Sequence, residues 1–260
     1  MLPHEKISKT LRDARAGGRV PMVAFMTAGF PDANKFQEHL TEVSQHSDVV
    51  ELGVPFSDPM ADGVTIQRAS HRALEQGVSV RWILDQLEQM QKAGRAAQAP
   101  ILLMSYLNPL LAYGLEELAK RARAAGVCGF IVPDLPLEES GPMIKSITSQ
   151  GLALVQLVSP VTPESRIQKL CDASTGFVYA VTVTGITGGA ASERDNMLEY
   201  LDGVREKSSI PVCAGFGIRS AEQVKRLAPH VDGVIVGSAL VEVMEKGESI
   251  GEFLDGLQPG

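Results

Sequence analysis

Cysteine is scarce in this chain of 260 residues and never occurs in a close pair. Cys128, Cys171 and Cys213 are odd in number and far apart, so they outline neither a disulfide framework nor a C-x-x-C metal or redox motif. Two of them fall in apolar runs, where a free thiol packs as a small hydrophobe. Positive charge is the scarcer sign. With 24 Lys and Arg against 31 Asp and Glu, the formal charge of −7 argues against nucleic acid or an anionic membrane surface as the main partner. A small anion stays possible, because backbone amides and helix ends bind one locally. No apolar stretch is long enough to cross a bilayer, and the first thirty residues lack the apolar centre of a signal peptide. The expected compartment is the cytoplasm, or a plastid stroma if a transit peptide has been removed.

Short apolar runs alternate with helical patterns along the whole chain, as βαβ units and a parallel sheet require. Eight runs stand out: "VPMVAFMTA" from Val20, "DVVELGV" from Asp48, "PILLMSY" from Pro100, "VCGFIVP" from Val127, "LALVQLV" from Leu152, "GFVYAVTVT" from Gly176, "IPVCAGF" from Ile210 and "VDGVIVG" from Val231. Between them lie segments with apolar residues three and four apart, such as "GLEELAKRARAAG" from Gly114 and "SAEQVKRLAPH" from Ser220. This count and length predict an α/β fold, a single (β/α)8 TIM barrel over residues 1–260 with an extra N-terminal helix around Glu5 to Ala16. No G-x-G-x-x-G follows the first run, which disfavours an open doubly wound sheet. The fourth and eighth runs, in "GVCGFIVPD" and "HVDGVIVGS", resemble each other half a barrel apart.

In such a barrel the reactive groups sit at the C-terminal ends of strands and in the loops that follow. Lysine is missing there, so an imine-forming aldolase is disfavoured. His4, His39, His46, His71 and His230 also lie outside the apolar runs, so neither a histidine base nor a metal site is expected. Carboxylates, hydroxyls and aromatics remain: Glu51, Asp62, Tyr106, Asn108, Asp134 and Tyr179, with Phe25, Ile66, Ile131 and Phe216 as apolar walls. Glu51 stands among Val49, Val50, Leu52 and Val54, where an acid needs either a partner or a task. No Lys or Arg occurs between Thr41 and Gln67, so a neutralising partner would have to come from another strand. Without one, burial raises its pKa and lets it give and take protons near neutrality. Asp62 reads either as the cap of the helix that follows or as a second acid facing the same cavity. Asp134 reads as a helix cap, Tyr179 as core or pocket, and Trp82 as packing.

Glycine clusters follow the last three runs: "TGITGGA" from Thr184, "GFGIRS" from Gly215, and Gly237 with Ser238 before "ALVEVM". Loops of this kind let backbone N–H groups approach an anion, and Ser238 can open a helix whose N-terminus favours phosphate. Together, at this place in the barrel, they point to phosphate binding.

"ELGVPFSDPMADGVTIQ", "PDLPLEES", "VTGITG", "GFGI" and "VGSALV" occur in this order, and with them the whole chain resembles the tryptophan synthase alpha subunits. The resemblance implies a (β/α)8 lyase that cleaves indole-3-glycerol phosphate to indole and glyceraldehyde 3-phosphate in tryptophan biosynthesis. It implies no cofactor in this chain, with pyridoxal phosphate confined to a beta subunit that receives the indole in an alpha2-beta2 heterotetramer. Glu51 resembles the family's proton-shuttling glutamate and Asp62 the acceptor of the indole N–H. Gly188, Gly217, Gly237 and Ser238 resemble its phosphate binders, and Phe25, Ile66, Tyr106, Ile131, Tyr179 and Phe216 its indole pocket. Thr187 resembles the threonine of a closing loop. Pro55, Ser57, Asp58, Pro59 and Met60 are the exposed candidates for contact with the beta subunit. A stand-alone lyase and a non-catalytic phosphate-binding barrel that regulates a partner are the alternatives. Indole-3-glycerol phosphate synthase shares substrate and barrel but would need a lysine at a strand end.

Overall fold

Each of the eight apolar runs forms a strand: β1 (Met22–Thr27), β2 (Val49–Gly53), β3 (Ile101–Met104), β4 (Val127–Ile131), β5 (Ala153–Val158), β6 (Val178–Val181), β7 (Val212–Gly215) and β8 (Gly233–Val236). Neighbours in sequence pair in parallel, and β8 returns to β1 to close the barrel. The computed structural model describes residues 1–182, 191–215 and 217–259. Pro21, Pro100 and Pro211 precede strands, where a missing N–H costs the ladder nothing. Their carbonyls still serve it, accepting from Val234, Val50 and Val178 at 2.9, 3.0 and 2.8 Å.

Around the barrel run α1 (Pro3–Ala16), α2 (Phe36–Gln45), α3 (Val64–Glu75), α4 (Val80–Lys92), α5 (Leu107–Tyr113), α6 (Leu115–Ala124), α7 (Gly141–Thr148), α8 (Glu164–Ala173), α9 (Ala191–Lys207), α10 (Ala221–Leu227), α11 (Ser238–Lys246) and α12 (Ile250–Asp255). Local chemistry starts them where the sequence suggests. Ser79 caps α4 by accepting the Trp82 N–H, and Val80, Ile83, Leu84, Leu87 and Met90 give that helix one buried face. Trp82 packs as expected, its ring 5.1 Å from that of Phe36. No helix among the described residues is long and apolar enough to cross a membrane.

Strand alternation separates two apolar layers. Met22, Ala24, Val50, Leu52, Val234 and Val236 face the helices. Val23, Val49, Leu102, Val155, Cys213 and Ile235 fill the barrel interior. In β4 the alternation skips one residue, because Ile101 pairs with Val127 but Leu102 pairs with Gly129, leaving Cys128 as a bulge. Ile7 and Leu11 of α1 join the interior cluster, so this helix stoppers the N-terminal mouth. It is tied there by the Ser8 hydroxyl, which donates to the Gly176 carbonyl at 2.6 Å. Both apolar side chains are essentially unexposed, and burial of each contributes about 1.5–3 kcal/mol. The opposite mouth is left for a ligand.

Candidate active site

Glu51 shares the parity of Val49, so it points into the barrel interior, level with Phe25 on β1 and Leu102 on β3. It is 1% exposed, and its Oε2 atom is buried with no hydrogen-bond partner. No cation pairs with it among the described residues. Burial, and then the negative charge of Asp62, push its pKa up to about 8. At neutral pH this carboxyl is therefore mostly protonated and poised to donate. The partner from another strand that the sequence left open is absent among the described residues.

Asp62 lies on the loop between β2 and α3, facing the same cavity. It does not cap α3 through its side chain: Gly63 is the N-cap, and the Asp62 backbone carbonyl accepts from the Gln67 amide at 2.8 Å. Burial raises its pKa, while a hydrogen bond with the Tyr106 hydroxyl lowers it. Of the two acids, Asp62 is thus the better placed to carry negative charge. Tyr106 also accepts the Ala61 N–H at 2.8 Å, so one phenol fixes two consecutive residues of this loop. Burial, foremost, holds that phenol neutral, with its pKa pushed up to about 12.

Tyr106 is itself held in place. It precedes α5, and Asp134, on the loop after β4, accepts the Leu107 N–H at 2.9 and 3.2 Å. Asp134 is a helix cap, as its sequence context suggested, but for the helix of the neighbouring loop. Asn108, read from sequence as an interior group, is exposed on α5, because the chain has already turned into helix there.

A cavity of about 260 Å³ opens at the C-terminal mouth, and Glu51 and Asp62 both line it. Phe25, Ile66 and Tyr179 form part of its apolar wall, together with Met104, Leu157 and Ile235. Gly53 makes room for this wall: a Cβ there would come within 2.6 Å of the Phe25 ring. Tyr179 stays a neutral phenol, its pKa raised first by burial and then by the charge of Glu51. Tyr106 stands behind Asp62 and Ile131 in the barrel core, so neither is among the residues lining this cavity. Gly217, Gly237 and Ser238 line its far side. Gly217 has φ +72°, which favours glycine, and Ser238 is the first residue of α11. A helix N-terminus and glycine backbone on one wall suit an anion. Thr187, Gly188 and Phe216 lie outside the described residues.

The β2 loop needs one correction. Ser57, Asp58 and Met60 are exposed and Pro59 is half-buried, but Pro55 is buried. The Val54 N–H still donates to the Met104 carbonyl at 2.8 Å, so Pro55 directly follows a residue that the sheet holds, and it is buried there. The sequence reading also missed Arg219, which lines the cavity two residues beyond Gly217, within "GFGIRS". Met104, Leu157 and Ile235 were findable by carrying the inward parity to the strand ends. A larger hollow of about 440 Å³ at the N-terminal mouth offers less chemistry. Its Arg12, Arg15 and Arg205 donate to the carbonyls of Ser209, Ala228 and Pro229. Among the described residues no group of three or more His, Cys, Asp or Glu is placed to hold a metal ion.

Comparison with known proteins bears on the whole chain. A family model described as the tryptophan synthase alpha chain matches residues 11–254. The tryptophan synthase alpha chain of Desulfovibrio desulfuricans is 42% identical over 251 residues, covering 95% of this chain and 97% of that one. The alpha chain of Methanocaldococcus jannaschii is 38% identical, covering 93% and 85%. Among solved structures, tryptophan synthase subunit alpha from Legionella pneumophila superposes with a TM-score of 0.85 at 31% identity, over 99% of this chain and 97% of that one. Tryptophan synthase from Mycobacterium tuberculosis superposes with a TM-score of 0.83 at 33% identity, over 96% and 98%. Because the matched residues take in all eight strands and both carboxylates of the cavity, the chain belongs to the tryptophan synthase alpha chain family.

Proposed function

We propose that Glu51 and Asp62 carry, in this chain, the lyase reaction of the tryptophan synthase alpha chain: cleavage of indole-3-glycerol phosphate to indole and glyceraldehyde 3-phosphate. The observation that supports these roles most is the buried, unpaired Glu51 with its raised pKa, facing one cavity together with Asp62. The bond between indole C3 and the glycerol side chain cannot break until C3 is protonated, because the aryl carbanion is too poor a leaving group. Protonated Glu51 supplies that proton, and Asp62 accepts a hydrogen bond from N1–H and offsets the positive charge that develops on the ring. The C3 to side-chain bond then breaks and its electron pair restores the indole. The adjacent hydroxyl becomes the aldehyde carbonyl, and its proton returns to Glu51. One residue thus ends each cycle as it began.

Phe25, Ile66 and Tyr179 wall the indole, with Phe216, Ile131 and Tyr106 completing or backing that pocket. Gly217, Gly237 and Ser238 hold the phosphate, with Gly188 as a fourth contributor, and Thr187 takes part in closure. The alpha chain family implies a beta subunit, and the assembly proposed is an alpha2-beta2 heterotetramer in which pyridoxal phosphate belongs to beta. Ser57, Asp58, Pro59 and Met60 are the proposed contacts.

The test is release of indole from indole-3-glycerol phosphate by wild type, Glu51→Gln and Asp62→Asn, with and without a beta subunit. Glutamine keeps the shape but cannot shuttle the proton, so turnover should fall about 10²- to 10⁴-fold with KM little changed. A Glu51→Gln protein that retains a tenth of wild-type turnover would sink the assignment.

A further inference from the structure

Among the described residues lining the cavity, Arg219 is the cation, and the reaction above gives it no task. It lies between Gly217 and α10, on the wall that also carries Gly237 and Ser238. Its Nη1 and Nη2 atoms donate to the Glu242 carboxylate at 2.7 and 2.9 Å. Glu242 sits on α11, four residues after Ser238, so it occupies the same helix face about 6 Å further along the axis. The Arg219 guanidinium is thus held one turn from the helix end suited to an anion. Glu242 accepts a third hydrogen bond, at 3.2 Å, from the hydroxyl of Thr65 on α3, three residues beyond Asp62. Glu242 therefore joins the Asp62 side of the cavity to the Gly217 side.

Stability does not account for this arrangement. The Arg219 side chain is 53% exposed, and surface pairs of this kind add little to folding. Electrostatics at the cavity wall explains it better. The ionised Glu242 near a site for a phosphate dianion would repel the ligand, unless a cation covers it. A guanidinium has five N–H donors and pairing with Glu242 uses two, so Arg219 can cancel one negative charge and still present donors to another.

We propose that Arg219 is a specificity-determining residue for the phosphate end of the substrate, supplying the positive charge that the glycine and helix-end amides lack. Glu242 sets its position. The proposal rests on the phosphate placement given above and names the group that makes the site selective for a dianion over a neutral ester. It also gives opposite signs for the two halves of the pair. Arg219→Gln leaves Glu242 uncovered and should weaken binding of glycerol 3-phosphate about 5- to 20-fold. Glu242→Gln keeps one acceptor oxygen, enough for Thr65 and one Arg219 N–H, but removes the repelling charge, and should tighten the same ligand about 2- to 5-fold. Arg219→Lys should fall between wild type and Arg219→Gln, since a point charge replaces a fork.

The experiment is calorimetric titration of wild type and the three variants with glycerol 3-phosphate, inorganic phosphate and indole. Indole release from indole-3-glycerol phosphate is followed on the same preparations. Opposite shifts for Arg219→Gln and Glu242→Gln, shrinking together in high salt, with indole affinity constant, are the expected result. If Arg219→Gln binds glycerol 3-phosphate as wild type does, or if both variants weaken it alike, the pair is only a clamp between the β7 loop and α11, and the proposal is overturned. Wild-type protein that fails to cleave indole-3-glycerol phosphate would overturn the reading beneath it. Cleaving wild type with an indifferent Arg219→Gln overturns the arginine's role alone.

Discussion

Glu51→Gln should inactivate the protein and stabilise it, by an amount that depends on pH. The Glu51 carboxyl has an ordinary value of 4.5 in the unfolded chain and is pushed up to about 8 when folded. Between these values the folded state holds a proton that the unfolded state releases. Stability from this residue is therefore undiminished below about pH 4.5 and falls as pH rises through the folded value. Each tenfold difference in proton affinity between the two states is worth about 1.4 kcal/mol, so the penalty reaches about 3 kcal/mol at pH 7 and levels near 5 kcal/mol above pH 8. Glutamine does not ionise, so it escapes the penalty while keeping the shape. Its extra N–H group adds an offset, but one that does not vary with pH. Asp62 titrates in both proteins and largely cancels in the difference. Urea unfolding of wild type and Glu51→Gln at a series of pH values from about 5 to 8.5 measures the effect. The stability difference should grow in favour of the variant by about 3–5 kcal/mol over that range. Parallel curves would refute the reasoning, because they would mean that Glu51 ionises in the folded protein as freely as in the unfolded one.

Tyr106→Phe removes both the hydrogen bond that lowers the Asp62 pKa and the acceptor of the Ala61 N–H, so kcat/KM should fall about tenfold and the acidic limb of its pH profile should move to higher pH. An unmoved limb would show that the phenol does not tune Asp62. Gly53→Ala places a Cβ within 2.6 Å of the Phe25 ring and should drive that ring into the cavity, weakening indole binding about tenfold at a stability cost of about 1–3 kcal/mol. Indole titration and a thermal melt decide this, and wild-type values in both would refute the close fit. Asp58→Ala, on the exposed part of the β2 loop, should reduce activation by a beta subunit several-fold while leaving the basal rate within about twofold. Steady-state indole formation against added beta subunit reads both, and full activation would remove Asp58 from the interface.

The barrel was legible because buried parallel strands leave continuous apolar runs, and because helix starts such as Ser79 and Ser220 mark themselves by capping chemistry. Glu51 was legible for the same reason in reverse: a carboxylate inside such a run breaks the pattern. What stayed hidden depends on contacts between distant segments. Nothing local to "PDLPLEES" says that Asp134 caps a helix some 27 residues upstream in the chain. Nothing local to "GFGIRS" says that Glu242 holds Arg219, although a cation among anion-suited glycines was there to be noticed. Pro55 was misjudged as exposed because loop composition begins there, directly after Val54, which the sheet still holds by a hydrogen bond.

The cap that Asp134 provides makes the Asp62 carboxylate a shared property of three loops. The loop after β4 fixes the start of α5, the turn ahead of α5 aims the Tyr106 phenol, and that phenol holds Ala61 and Asp62 on the loop after β2. Anyone transplanting this reaction onto another barrel would have to graft the three loops as one cassette, since the β2 loop alone would arrive with its acid and without its scaffold. Drift in one of these loops is likewise screened by the other two, so substitutions among them should be inherited as sets, and chimaeras cut between β2 and β4 should lose activity that either parent possesses.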